Sequence, residues 1–238
     1  MKKHLAVISE NVPASMADKL AAYFDILCLP PDKTISKPIS SHPDMILSQI
    51  GDTLIVPESY YKEYPETVGC IVNYSGLRLT LSGAPRSAAY PLDVSLNAAV
   101  GENFVICRKD TCAPEILTCA DALGYSIIHV KQGYAGCSCI ITPAGIITSD
   151  KGICSAISSN VLYVTNSGII LPGYDIGFIG GCGGFCEGAL YFFGDITAST
   201  AGKAISVFAD KNGYKTVPLS PDLLTDFGGI KFFRNKTK

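Results

Sequence analysis

Cys137-Ser138-Cys139-Ile140-Ile141-Thr142-Pro143-Ala144-Gly145-Ile146-Ile147-Thr148-Ser149 is two short apolar runs on either side of a Pro-Ala-Gly turn. Short runs rich in Ile and Thr and bounded by Pro and Gly read as strands, and a turn this tight folds them into a hairpin. The same grammar occurs upstream. Asp44 to Leu47, a turn at Gly51 and Asp52, and Thr53 to Val56 form one instance; Asp93 to Val100, a turn at Gly101 to Asn103, and Phe104 to Cys107 form another. Downstream, Glu187 to Phe193 closing on Gly194 and Asp195 gives a shorter form. Starts at 44, 93, 137 and 187 recur at a spacing where a fixed period signals an array or a closed ring.

Between the hairpins lie windows with helical periodicity: Ala14 to Phe24, Pro114 to Leu123 and Gly202 to Lys211. The second is the best punctuated, with Asp110 or Thr111 as acceptor for orphan amides, Pro114 in the first turn and Gly124 at the end. Each window precedes a short strand, at Asp25 to Leu29, Ser126 to Val130 and Lys215 to Leu219. His4 to Ser9 and Gly228 to Phe233 read as two more strands. If these two pair, they make a fifth module split between the termini and leave the ring without an exposed edge. The expectation is one α/β domain over the 238 residues, with Arg234 to Lys238 as a loose tail.

Composition removes several classes of function. A net charge of -2 without a long basic run lacks the footprint that phosphate-backbone binding needs, so no nucleic-acid partner is expected. No run approaches the roughly 20 apolar residues of a membrane span. In Met1 to Ile8, Glu10 and Asn11 end the apolar stretch short of a signal-peptide core, so it reads as a first strand and the chain as cytoplasmic. The 10 cysteines sit mostly in apolar runs, as Cys28, Cys107, Cys139 and Cys154 do, and are expected as buried free thiols. Cys137-Ser138-Cys139 and the Cys182/Cys186 pair lack the spacing of structural zinc sites, and Gly180 to Gly188 lacks a nucleotide fingerprint; neither metal nor cofactor is expected.

Five motifs carry a resemblance over nearly the whole chain: Ser41-His42-Pro43-Asp44, Tyr90-Pro91-Leu92-Asp93-Val94-Ser95-Leu96-Asn97, Val130-Lys131-Gln132-Gly133-Tyr134-Ala135, Thr148-Ser149-Asp150-Lys151-Gly152 and Gly177-Phe178-Ile179-Gly180-Gly181. In their order and spacing the chain resembles the pentein fold, the fivefold pseudo-symmetric α/β propeller of guanidino-group-modifying enzymes such as agmatine deiminase, arginine deiminase and dimethylarginine hydrolase. It is more closely similar to an uncharacterised clostridial-type family of that fold. The resemblance implies an acidic residue in the first module that holds a substrate cation, matched by Asp44, and a second acid or amide, matched by Asp93 or Asn97. It implies a cysteine nucleophile after a Gly-rich turn, matched by Cys186 in Gly183-Gly184-Phe185-Cys186. The third-module histidine is missing; Gly133-Tyr134-Ala135-Gly136-Cys137 stands there.

The residues themselves are consistent with a polar centre. If Asp44 starts a strand, His42 lies on the same face two positions earlier, and Asp93 and Asn97 likewise share a face. A reactive Cys186 needs a base, and among His4, His42 and His129 the candidate is His42, because His129 lies in an apolar strand. Lys131, with Gln132, precedes a Gly-Tyr turn at Tyr134 at a strand end, where it is placed to reach an anionic group of a ligand. Two functions follow as expectations. One is a small-molecule site that binds or acts on a cationic guanidino or amino compound; the other is a non-catalytic ligand-binding or interaction scaffold that keeps the ring for its shape.

Overall fold

The computed structural model describes residues 3–157 and 160–237; Met1, Lys2 and Lys238 of the sequence readings lie outside the described residues. The N-terminal strand β1 (His4–Ser9) runs through helix α1 (Ala14–Ala21) into β2 (Asp25–Leu29). A helical turn α2 (Pro43–Ile46) leads to β3 (Ser48–Ile50) and β4 (Thr53–Pro57), then helices α3 (Glu58–Glu63) and α4 (Pro65–Ser75) and β5 (Arg78–Ser82). Strands β6 (Ala99–Val100) and β7 (Phe104–Cys107), helix α5 (Pro114–Ala122) and β8 (Ser126–His129) follow. Next come β9 (Cys139–Thr142), β10 (Gly145–Thr148), α6 (Lys151–Ala156) and β11 (Val161–Tyr163). Strands β12 (Gly183–Cys186) and β13 (Ala189–Phe192), α7 (Gly202–Lys211), β14 (Lys215–Pro218) and β15 (Lys231–Arg234) complete the order.

These strands form five sheets of three with one design, in orders β3-β4-β5, β6-β7-β8, β9-β10-β11, β12-β13-β14 and β15-β1-β2. In each, the inner strand is antiparallel to the middle one, and the middle one is parallel to the outer. The fifth sheet joins the two ends of the chain, with Leu5 opposite Phe233 and Val7 opposite Lys231.

Continuous apolar middle strands explain the closure, because a strand buried on both faces gives alternate side chains to two different cores. On β13, Leu190 and Phe192 pack with Ile140 and Ile147 of the third sheet, while Tyr191 packs with Ala6 and Ile8 of the fifth. On β1, Leu5 and Val7 turn to Leu54 and Val56 of the first sheet. Ile50 and Ile55 meet Val105 and Cys107, and Ile106 meets Cys139 and Ile146. Each core is therefore shared by neighbouring sheets, and the last shares with the first.

Several local readings change. Pro43–Ile46 is a helical turn rather than a strand: Pro43 suits the first helical position and its carbonyl accepts the Leu47 amide at 2.8 Å. Residues 93–98 form turns, with Asn97 N–H donating to Val94 at 2.9 Å, so His42/Asp44 and Asp93/Asn97 do not share strand faces. The fourth hairpin begins at Gly183, four residues before the expected start, and turns at Glu187 and Gly188, both with positive φ. Cys28 is exposed, because β2 is an outer strand; all ten cysteines are free thiols. The expected tail is docked as far as residue 237: Asn235 is buried and donates its amide to the Lys3 carbonyl at 2.9 Å. Among the described residues no helix is long and apolar enough to cross a membrane.

Candidate functional site

Turns at the inner ends of the sheets bring polar side chains to the middle of the ring. Asn97 is the hub. Its amide nitrogen donates to the Asp44 carbonyl at 3.1 Å and to the Cys137 Sγ at 3.0 Å, and its Oδ1 accepts the Cys137 amide at 3.1 Å. One buried amide thus ties the second module to the first and third, which satisfies its donors away from water.

Two carboxyls flank this hub. Asp226 is buried; its Oδ2 accepts the Phe178 amide at 2.8 Å and its Oδ1 the Gly228 amide at 3.0 Å. Burial, and then the charge of Asp44, raise its pKa to about 7. Asp44 is also buried, and neither oxygen has a hydrogen-bond partner; the Cys137 thiol approaches without the geometry of a full bond. Burial lifts Asp44 to about 6, against the pull of the Cys137 thiol and Lys231. The Cys137 thiol is pushed far above its ordinary range, by burial first and by the charges of Asp44 and Asp226 next. His42 Nδ1 lies 3.8 Å from Asp226 Oδ1, yet burial lowers the ring to about 3, so it is neutral.

Three cavities reach this cluster, and two of them carry the argument. One, of about 280 Å³, has Cys137, His42 and Asp226 in its lining and rings of Tyr134, Phe178 and Tyr174 on its walls. Tyr134 and Phe178 are stacked with centroids 5.9 Å apart, and Tyr134 Oη donates to Asp93 Oδ2 at 2.6 Å. The other, of about 360 Å³, is enclosed by the inner strands of the five sheets and is lined by Asp44, Ser48 and Lys231 together with eight glycines.

The expected site residues divide accordingly. His42, Asp44, Asp93, Asn97 and Tyr134 are gathered at or beside the centre. Lys131 is exposed, and the neighbouring Gln132 is spent on Asp150 and the Tyr134 amide. Cys186 lies at the hairpin end of β12, packed with Ala6, Ala189 and Phe193, and it lines neither central cavity. Burial and Glu187 push its thiol up to about 12, and His42 is not beside it. The physical reason is register: the glycines of β12 reach the axis, and the strand has left it by Cys186.

Sequence reasoning did not single out Asp226, whose signal was an acid placed just before the Gly228-Gly229 pair. It also missed a buried ion pair beside the centre, Arg86 with Asp32 at 3.1 Å, which orders the loop above Asp93 through Arg86 donating to Ser95 and to the Met45 carbonyl. Among the described residues no group of three or more His, Cys, Asp or Glu is placed to hold a metal ion.

A family model described as Family of unknown function (DUF6873) matches residues 7–231. The chain belongs to this family. No curated protein matches the DUF6873 chain. Among solved structures, that of a dimethylarginine dimethylaminohydrolase adduct with S-methyl-L-thiocitrulline is similar with a TM-score of 0.56 at 11% identity, covering 91% of each chain. The inosamine-phosphate amidinotransferase of Streptomyces griseus is similar with a TM-score of 0.50 at 13% identity, covering 92% of this chain and 78% of that one. At such identities the likeness is one of fold, and this DUF6873 chain has the pentein fold, a five-module pseudo-symmetric α/β ring.

Proposed function

We propose that this chain binds a small organic cation of the guanidino or amino class in the aromatic-walled cavity, with Asp226 as its counter-ion. One observation carries this reading: the cavity holds a buried carboxyl and three aromatic rings but, among the described residues, no Lys or Arg in its lining. A cation there relieves the cost that holds Asp226 up near 7, and ring faces attract cations once water is excluded. Exposed Asp175 adds a second negative group to the lining. At about 280 Å³ the cavity is at the small end of ligand sites. The names of the two structural neighbours, a dimethylarginine hydrolase and an amidinotransferase, point to the same ligand class.

The reading is one of binding rather than covalent attack. Cys137 is the thiol in this cavity, and burial between two carboxyls keeps it protonated, while His42 is neutral and faces Asp226. Asp93 serves by holding Tyr134, and Asn97 by holding the Asp44 carbonyl and the Cys137 thiol in place.

Thermal melts and calorimetry with agmatine, arginine, simple amines and the neutral analogue citrulline test this. At ten times the Kd a cation should raise the Tm by about 3 to 6 °C. Asp226→Asn should weaken binding at least about tenfold, and Tyr134→Ala several-fold. Affinity should rise with pH through about 7, because the ionised Asp226 is the form that binds. If the panel shifts neither protein, or shifts wild type and Asp226→Asn alike, the reading fails and the scaffold role gains.

A further inference from the structure

The second cavity contains polar groups that form no full hydrogen bond among the described residues. Asp44 is buried with both carboxylate oxygens unpartnered, and Ser48, four residues on and equally buried, leaves its hydroxyl unpartnered as well. Both line the 360 Å³ cavity on the ring axis. A buried carboxylate with no donor is costly, so a site that keeps one alongside an idle hydroxyl is built for a positive group.

Much of the remaining lining is backbone, Gly136, Cys139, Gly180, Gly228 and Gly229 among it. It is closely packed: the carbonyl oxygens of Gly136 and Cys139, and that of Cys137 beside them, lie 2.5 to 2.6 Å from where a Cβ of Gly180 would stand. The Gly180 carbonyl in turn lies 2.7 Å from where a Cβ of Gly229 would stand, and the neighbouring Gly228 carbonyl accepts the Asp44 amide at 3.2 Å. Asp44 and the Gly180 carbonyl therefore both adjoin the Gly228-Gly229 step.

We propose that the axial cavity is a second site, distinct from the organic-cation cavity, for a monovalent inorganic cation, with the Asp44 carboxylate and Ser48 hydroxyl as side-chain ligands and axial carbonyls completing an all-oxygen shell. Carboxylate, hydroxyl and carbonyl oxygens are donors for hard cations. The charge chooses between mono- and divalent ions: one carboxylate, with the Lys231 ammonium lining the same cavity but not paired to it, leaves too little negative field for a divalent ion.

Melts of the full chain at pH 8 in potassium, ammonium, sodium or choline chloride, at equal ionic strength of about 0.15 M, test the site; choline is the bulky control. At least one small cation should raise the Tm over choline by about 3 to 6 °C at ten times its Kd. Ser48→Ala should reduce that rise and Asp44→Asn should abolish it, while Asp44→Asn melts higher than wild type in choline because a buried unpartnered charge is gone. Asp226→Asn should keep the salt response even where it loses the response to guanidines, which separates this site from the proposed ligand cavity. Equal melting of wild type in all four salts, or an unchanged salt response in Asp44→Asn, overturns the proposal.

Discussion

Asp226 and His42 face each other at the centre and tilt stability in opposite directions. The folded Asp226 carboxyl ionises near 7 and its unfolded counterpart near 4, so its contribution is complete below about 4 and is lost as pH rises to about 7. The folded His42 ring ionises near 3 and the unfolded one near 6.5, so its contribution is complete above about 6.5 and is lost as pH falls toward 3. Because the two windows overlap, wild type alone conceals both. The Tm of Asp226→Asn minus that of wild type should move in favour of the variant between pH 5 and 8; a difference that stays flat would mean that Asp226 titrates normally. Asp44 from the resemblance, Asn97 from an amide set in an apolar run and Tyr134 from its turn were expected site residues, and all three lie at or beside the centre. Asp226 was not expected, since its role depends on Phe178 and Gly228 lending it their amides.

Turns decide where those side chains go, and Gly228 fixes two of them. It has φ of +80°, and a Cβ there would lie 2.3 Å from the His42 Cβ. Its amide holds Asp226 and its carbonyl holds the Asp44 amide. Gly228→Ala should therefore destabilise by about 2 kcal/mol or more and weaken cation binding as well. Gly83→Ala, at an exposed position where a Cβ would meet nothing, should stay within about 0.5 kcal/mol. Paired urea melts of the two variants measure this, and equal costs would refute the steric account. At this scale the sequence was most informative where periodicity was backed by punctuation. Helix α7 occupies the expected Gly202–Lys211, and α1 and α5 stop three residues and one residue short of their windows. It misled at Asp44 to Leu47 and at Asp93 to Ala98, where apolar residues sit in turns because their burial comes from the centre of the ring rather than from a ladder. Helices α3 and α4 went unforeseen between Glu58 and Ser75.

The ring as a whole depends on the strand that the C-terminal segment adds beside β1. Phe233 is buried there against Leu5, Val7 and Val56, across the seam between the fifth and first sheets. Phe233→Ala should cost about 3 to 5 kcal/mol and lower the Tm by roughly 6 to 20 °C, with the loss spread over one cooperative transition because every core is shared with a neighbour. A biphasic melt would mean that the modules fold separately. The sequence by itself determined the modular grammar and the fifth module split between the chain ends, since strand patterning and turn chemistry are local properties. Only the tertiary structure decided which side chains share the axis. It joined Asn97 to Cys137, set Asp226 facing His42, gave Asp44 and Ser48 to the axial cavity and left Cys186 outside that one and the aromatic-walled one. Those pairings span up to 184 residues of chain and arise only when the five sheets close. Proximity across a ring is set by packing of shared cores, and no local pattern in the chain encodes it.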